Sequence, residues 1–154
     1  MREIIENLLR KENIRKSLSD LRKLIKDEGT LEDAKALLSD KKELLASFLE
    51  SEDAKTRKNA ALLIGNLGIS ELADKIFEAY ENEDTRFVKG SYLSALSQLD
   101  IPWLVPQIEK HQKLLKETVI TDENRKHIEE EQREINKILI KYNGIKHHTP
   151  ILEG

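Results

Sequence analysis

The chain has 154 residues, 26 Lys and Arg against 29 Asp and Glu, a formal net charge of -3 and no cysteine. That excludes disulfide scaffolds, thiolate zinc sites, iron–sulfur clusters and cysteine nucleophiles, and leaves a length suited to one domain with its own core. Charged residues at 36% against 5% aromatics, with six Gly and three Pro, predict surface helices and argue against a turn-rich all-β chain.

From the N-terminus, residues 2–10 carry Ile4, Ile5, Leu8 and Leu9 at helical spacing, and residues 14–27 carry Ile14, Leu18, Leu21 and Ile25. Residues 30–50 hold Leu37, Leu38, Leu44, Leu45, Phe48 and Leu49, with a bend or break expected near Ser39-Asp40. Residues 54–67 have the stripe Thr56, Ala60, Leu63, Ile64 and Leu67; residues 69–81 have Leu72, Ala73, Ile76, Phe77 and Tyr80. Residues 85–99 have Val88, Tyr92, Ala95, Leu96 and Leu99. A last pair covers 102–118 and 122–142, the latter striped by Ile128, Ile135, Ile138, Leu139 and Tyr142 and laced with charges at i, i+3 and i+4 offsets.

Thr30 with Asp33, Ser70, Asp100 before Pro102, and Thr121-Asp122 mark helix starts; Gly29, Gly68 and Gly144 mark ends. Eight helices in four antiparallel pairs follow, as one domain over residues 1–143. Pro150 predicts an extended tail over 144–154, either a flexible terminus or the junction to a following domain. No apolar run approaches the roughly 20 residues of a membrane span. The charged start Met1-Arg2-Glu3-Ile4-Ile5-Glu6 lacks a secretory stretch. A cytoplasmic protein without membrane contact is expected.

The stripes repeat. Adding 32 to the numbers of Thr56, Ala60, Leu63, Ile64 and Leu67 gives the stripe at Val88 to Leu99, and subtracting 42 gives Ile14, Leu18, Leu21, Arg22 and Ile25. Three copies in register indicate an internal repeat. Glu52-Asp53-Ala54-Lys55-Thr56-Arg57-Lys58-Asn59-Ala60-Ala61, followed by Leu63-Ile64-Gly65-Asn66-Leu67-Gly68, resembles the second half of a HEAT repeat. Glu83-Asp84 through Phe87-Val88-Lys89, then Ala95-Leu96-Ser97-Gln98-Leu99, resembles it again. Thr56 stands where that pattern has Val, Lys89 where it has Arg, and Ser97 where it has Gly. The likeness is specific over residues 44–104. It implies an all-α fold, a short right-handed α-solenoid of about four antiparallel pairs, in which the second helices line a concave face.

Charge segregates on that scheme. Residues 14–27 hold five bases and two acids, 54–67 three bases and no acid, and 85–99 two bases and no acid. The expected outer stretch 69–83 holds one base and five acids. A basic inner wall attracts polyanions, with affinity that falls as salt rises. The candidate contacts to a partner or to phosphate are Arg15, Arg22, Lys23, Lys26, Lys55, Lys58, Arg86 and Lys89. Arg57 and Lys89 also suit structural pairing between neighbouring turns; Arg22, Lys23, Lys26 and Lys58 are not explained by the repeat pattern. The expected role is a non-catalytic interaction module whose partner is a protein or nucleic acid with an acidic surface. The alternatives are an RNA-binding N-terminal region of a larger enzyme, such as the RNA-modifying methyltransferases to which HEAT-like modules are appended, and a merely solvated basic face. A free-standing enzyme like the HEAT-fold DNA glycosylases is disfavoured, because Tyr92 belongs to the apolar stripe.

No catalytic set is visible. Glu129-Glu130-Glu131 points around a helix at 100° steps, so no acid–base pair converges there. His111 and His127 read as single solvated residues, and His147-His148 lacks the i, i+4 spacing and carboxylate support of a metal site. Trp103 reads as packing between pairs rather than as a base-stacking residue. No metal, cofactor or small-molecule substrate is expected.

Overall fold

The computed structural model describes residues 1–153 and the side chains of residues 1–143. Among the described residues every regular element is helical. Nine α-helices follow in order: α1 (Arg2–Leu9), α2 (Ile14–Leu24), α3 (Glu28–Leu38), α4 (Lys42–Ser47), α5 (Ala54–Leu67), α6 (Ala73–Asn82), α7 (Arg86–Ser97), α8 (Val105–Glu117) and α9 (Arg125–Glu153). Single 3-10 turns at Phe48–Glu50, Ser70–Leu72 and Pro102–Leu104 adjoin α4, α6 and α8. The tail expectation over 144–154, with Gly144 and His147-His148, falls outside the residues whose side chains are described; the bounds of α9 run through it.

Local chemistry sets the boundaries. The Asp27 carboxylate accepts the Thr30 backbone N–H at 3.0 Å and its hydroxyl at 2.9 Å. Asp27 therefore caps α3, and Gly29 lies in that helix's first turn instead of ending its predecessor. The expected break near Ser39-Asp40 separates α3 from α4. Asp53 repeats the cap for α5, with Thr56 N–H at 3.0 Å and its hydroxyl at 2.7 Å. Gly68 closes α5 at φ 69°, a left-handed conformation that a side chain would strain. Thr121 and Asn124 cap each other reciprocally before α9, which starts later than residue 122.

The helices pack in a definite order. α2 packs on α5, α5 on α7 and α7 on α9, a central row; α1 flanks α2, α4 and the Phe48–Glu50 turn flank α5, α6 flanks α7, and α8 flanks α9. The repeated stripes fill the seams: Thr56, Ala60, Leu63, Ile64 and Leu67 are buried, as are Val88, Tyr92, Ala95, Leu96 and Leu99. In the third copy Leu18, Leu21 and Ile25 are buried, while Ile14 and Arg22 are half-buried. The tightest seam lies between α5 and α7. A Cβ on Gly65 would stand 2.8 Å from the Cα of Ala95, so even alanine there must push two backbones apart.

Several polar residues sit differently from expectation. Trp103 is half-exposed and donates its ring N–H to Asp74 at 2.7 Å, instead of packing between pairs. His111 is half-buried, edge-on to Phe77 and Tyr80 with centroids at 5.4 and 5.1 Å. The His127 Nδ1 is buried without a hydrogen-bond partner. Glu131 is wholly buried and Glu134 nearly so, so α9 carries carboxylates into the seam that its surface lacing conceals.

Candidate functional site

The expected cations divide into two groups once their partners are known. Those near α7 are engaged within the chain. Arg57 forks onto Glu83, with Nε to Oε1 and Nη2 to Oε2 both at 2.8 Å, and its Nη1 donates to the carbonyls of Ser51 and Glu52 at 2.8 and 3.1 Å. Glu83, in the α6–α7 turn, also accepts the Tyr92 hydroxyl at 2.7 Å and the Thr85 N–H at 3.0 Å. Burial alone would raise the Glu83 carboxyl; the hydrogen bonds from Arg57 and Tyr92 outweigh it and hold the group at about 2. Tyr92 is pushed up, first by burial and then by its bond to Glu83.

Arg86 meets a second buried carboxylate. The Arg86 Nη1 lies 3.0 Å from Glu131, which also accepts the Tyr80 hydroxyl at 3.1 Å. Here desolvation outweighs both partners and holds the Glu131 carboxyl above its ordinary value. Lys89 donates to the Tyr80 carbonyl at 2.8 Å and stands 4.5 Å from that ring's centroid. Burial pushes the Lys89 ammonium down. Gly90 makes room for this seam, since a Cβ there would lie 2.5 Å from the Glu130 carboxylate. Arg15, on α2, pairs with Asp53 at 3.3 Å. Arg15, Arg86 and Lys89 are thus tied into the fold, the last as its alternative structural role foresaw.

Arg22, Lys23 and Lys26 come together elsewhere. With Ser19, Ile25, Leu31, Asn66 and Gln98 they line a recess of about 460 Å³ that bears no carboxylate. Arg22 spans from α2 to α5, with Nη1 donating to the Asn59 amide oxygen at 3.1 Å and Nε to that of Asn66 at 3.4 Å. Asn66 in turn donates its amide N–H to the Gln98 oxygen at 2.9 Å, across the 32-residue offset of the sequence repeat. Because a guanidinium only donates, both asparagines must present oxygen to it, which fixes the direction of the chain from Arg22 to Gln98. Burial holds the Arg22 guanidinium below its ordinary value. Lys55 and Lys58 do not line this recess, and no carboxylate pairs with either among the described residues.

Such a recess can attract and orient an anion: one half-buried, aimed guanidinium and two exposed ammonium groups around neutral amide and hydroxyl groups. Sequence reasoning passed over Asn59, Asn66 and Gln98 as ordinary polar residues between apolar ones. Asn59 and Asn66, seven apart, lie on one face of α5, and that spacing was available to find them. Among the described residues no cluster of His, Asp or Glu could hold a metal ion, and no helix is long and apolar enough to cross a membrane. Compared with protein families, curated proteins and solved structures, the chain matches none.

Proposed function

We propose that this chain is a non-catalytic interaction module, a short right-handed HEAT-like α-solenoid of about four helix pairs in a cytoplasmic setting. It docks an acidic partner at the α2 end of its central row. Support for the repeat architecture comes from the successive packing of α2, α5, α7 and α9, each flanked by the helix or helices before it. The Asn66–Gln98 bond, which crosses one repeat offset, adds to it.

The docking role is carried by one observation: Arg22, Lys23 and Lys26 surround a recess with no carboxylate in its lining. Other cations of the row, Arg57, Arg86 and Arg15, have found carboxylates within the chain. Open charge is therefore densest at one end: the recess gathers three cations, Lys55 and Lys58 stand outside it on α5, and the candidates on α7 are engaged within the fold. That distribution favours an acidic protein surface over a nucleic-acid backbone, which rewards cations spaced along a groove.

Fluorescence anisotropy with a labelled oligo-glutamate peptide tests the role, at about 50 and about 200 mM salt, where a polyanion's grip on several cations falls steeply. The expected result is salt-sensitive binding that Lys23→Glu/Lys26→Glu abolishes and Lys75→Glu, on α6, leaves alone. No binding at the lower salt, or indifference to the double reversal, overturns the role. Tighter binding of single-stranded RNA would move the assignment to nucleic acid.

A further inference from the structure

The recess at the end of α2 has a more specific chemistry than general attraction to acids. Arg22 is held by two amide oxygens from α5, and those bonds engage Nε and one side of Nη1. Both Nη2 hydrogens and one on Nη1 are left without a partner among the described residues. The group is half-buried, so it has given up part of its hydration while the amides offer dipoles and no counter-charge. A cation in that condition is costly until an anion completes it.

Around this fork stand Lys23 and Lys26, the Ser19 hydroxyl and the Gln98 amide. The last carbonyls of α2 add partial negative charge of about half a unit at that helix end, which the three cations exceed. Three positive charges about one recess match a compact dianion better than a single carboxylate, and a planar fork with flanking ammonium groups suits tetrahedral oxygens. A phosphodiester carries one charge per unit and gains affinity from many units in line. Beyond the recess the row's candidates offer only Lys55 and Lys58, because Arg15 and Arg86 are paired internally and Lys89 is bonded to the Tyr80 carbonyl.

We propose that the recess formed by Arg22, Lys23, Lys26, Ser19, Asn66 and Gln98 is a binding site for a phosphomonoester dianion. It rests on the docking role argued above, with a phosphorylated side chain of the acidic partner as its natural source; a free organic phosphate shares the chemistry.

The full isotope-labelled chain is titrated, in nuclear magnetic resonance experiments, with a phosphoserine tripeptide, its glutamate counterpart, glucose 6-phosphate and a short single-stranded RNA. The phosphoserine peptide is expected to move the side-chain amide signals of Asn59, Asn66 and Gln98 and to bind at least about tenfold tighter than the glutamate peptide. That margin should shrink between about pH 7.5 and about pH 5, as the phosphate takes up its second proton near 6. Asn66→Asp, which gives Arg22 an internal carboxylate without removing any cation, should lose about tenfold in affinity without any loss of melting temperature. Arg22→Lys, which keeps the charge and removes the fork, should lose a similar factor.

Comparable binding of glucose 6-phosphate supports the site and points to a small phosphate as its source; weaker binding points to the phosphorylated side chain. Equal affinity for the glutamate peptide, tighter binding of RNA through the same signals, or indifference to Asn66→Asp overturns the proposal. Oligo-glutamate binding by the unaltered chain separates the two failures. If it persists, the docking role stands without a phosphate site; if it is absent while phosphoserine binds, the site stands without the wider role.

Discussion

Arg57 and Arg86 beside α7, and Arg22 on α2, are guanidinium groups lodged at seams between helices, yet they face different partners. The first two meet Glu83 and Glu131, carboxylates whose side chains are 3% and 0% exposed, and their charge is spent within the fold. The third meets Asn59 and Asn66, which orient it without neutralising it. Position along the row therefore does not decide whether a cation is neutralised within the fold or left with open donors. The chemistry of the residue across the seam decides.

The largest expected effect separates the two regions by stability. Arg57→Ala removes the fork on Glu83 and two bonds to backbone carbonyls. It leaves a nearly buried carboxylate, at a cost of about 3–5 kcal/mol. Lys23→Ala and Lys26→Ala, at exposed positions, should stay within about 0.5 kcal/mol. Denaturant unfolding of the three variants checks the contrast, and a cost below about 1 kcal/mol for Arg57→Ala would break it.

Next comes acid. The Glu83 carboxyl is lowered from 4.5 to about 2, so the folded state binds its proton less tightly than the unfolded state. The resulting stability is fully present above 4.5 and is lost as pH falls toward 2, roughly 2–3 kcal/mol after allowance for solvent screening. Unfolding free energies of the wild type and Glu83→Gln, followed from neutral pH downward, should converge over that window. Parallel curves would show that Glu83 is not the group responsible.

Glu131 has the opposite sign. Its carboxyl is raised above 4.5 by desolvation, so its contribution is complete below that value and is lost as pH rises through the raised one. Glu131→Gln should therefore be neutral or stabilising by up to about 1 kcal/mol near pH 7, with Arg86, whose side chain is 30% exposed, left to water. A loss above about 2 kcal/mol in thermal or denaturant unfolding would place Glu131 in the same class as Glu83.

The smallest effect sharpens the comparison most directly. Asn66→Asp installs beside Arg22 the kind of partner that Arg57 already has, and should raise stability by about 0.2–1 kcal/mol, as a partly exposed ion pair does. Destabilisation in a melting experiment would mean that the amide does more than orient the guanidinium.

The stripes of α2, α5 and α7 were legible because burial is periodic along each helix, and Ala60, Ile64, Tyr92 and Leu96 are buried as their spacing predicts. The partners of the cations were not, because a charge is answered across the fold: Arg57 by Glu83, 26 residues on, and Arg22 by Asn66, 44 residues on. Pattern reading sets Arg22 apart as unexplained by the repeat but assigns no partner to it, to Arg15 or to Arg86, whose neighbours in space are two amides, a carboxylate and a buried carboxylate in turn. Glu131 shows a signal that went unused. It stands between Ile128 and Ile135 at the same three- and four-residue steps, so the stripe itself places it inside, and counting charges along α9 as surface lacing hid it.

The meeting of Gly65 with Ala95 sets one seam of the row apart. With no side chain at Gly65 to hold α5 and α7 apart, their main chains approach closely there, and any added side-chain atom must part them. The seam between α2 and α5 is joined beside the recess by Arg22 through side-chain bonds that water can replace. The two seams therefore differ in kind: α5 and α7 meet through main chain, whereas α2 and α5 add to their buried Leu18, Leu21 and Ile25 a polar bridge that opens onto the recess.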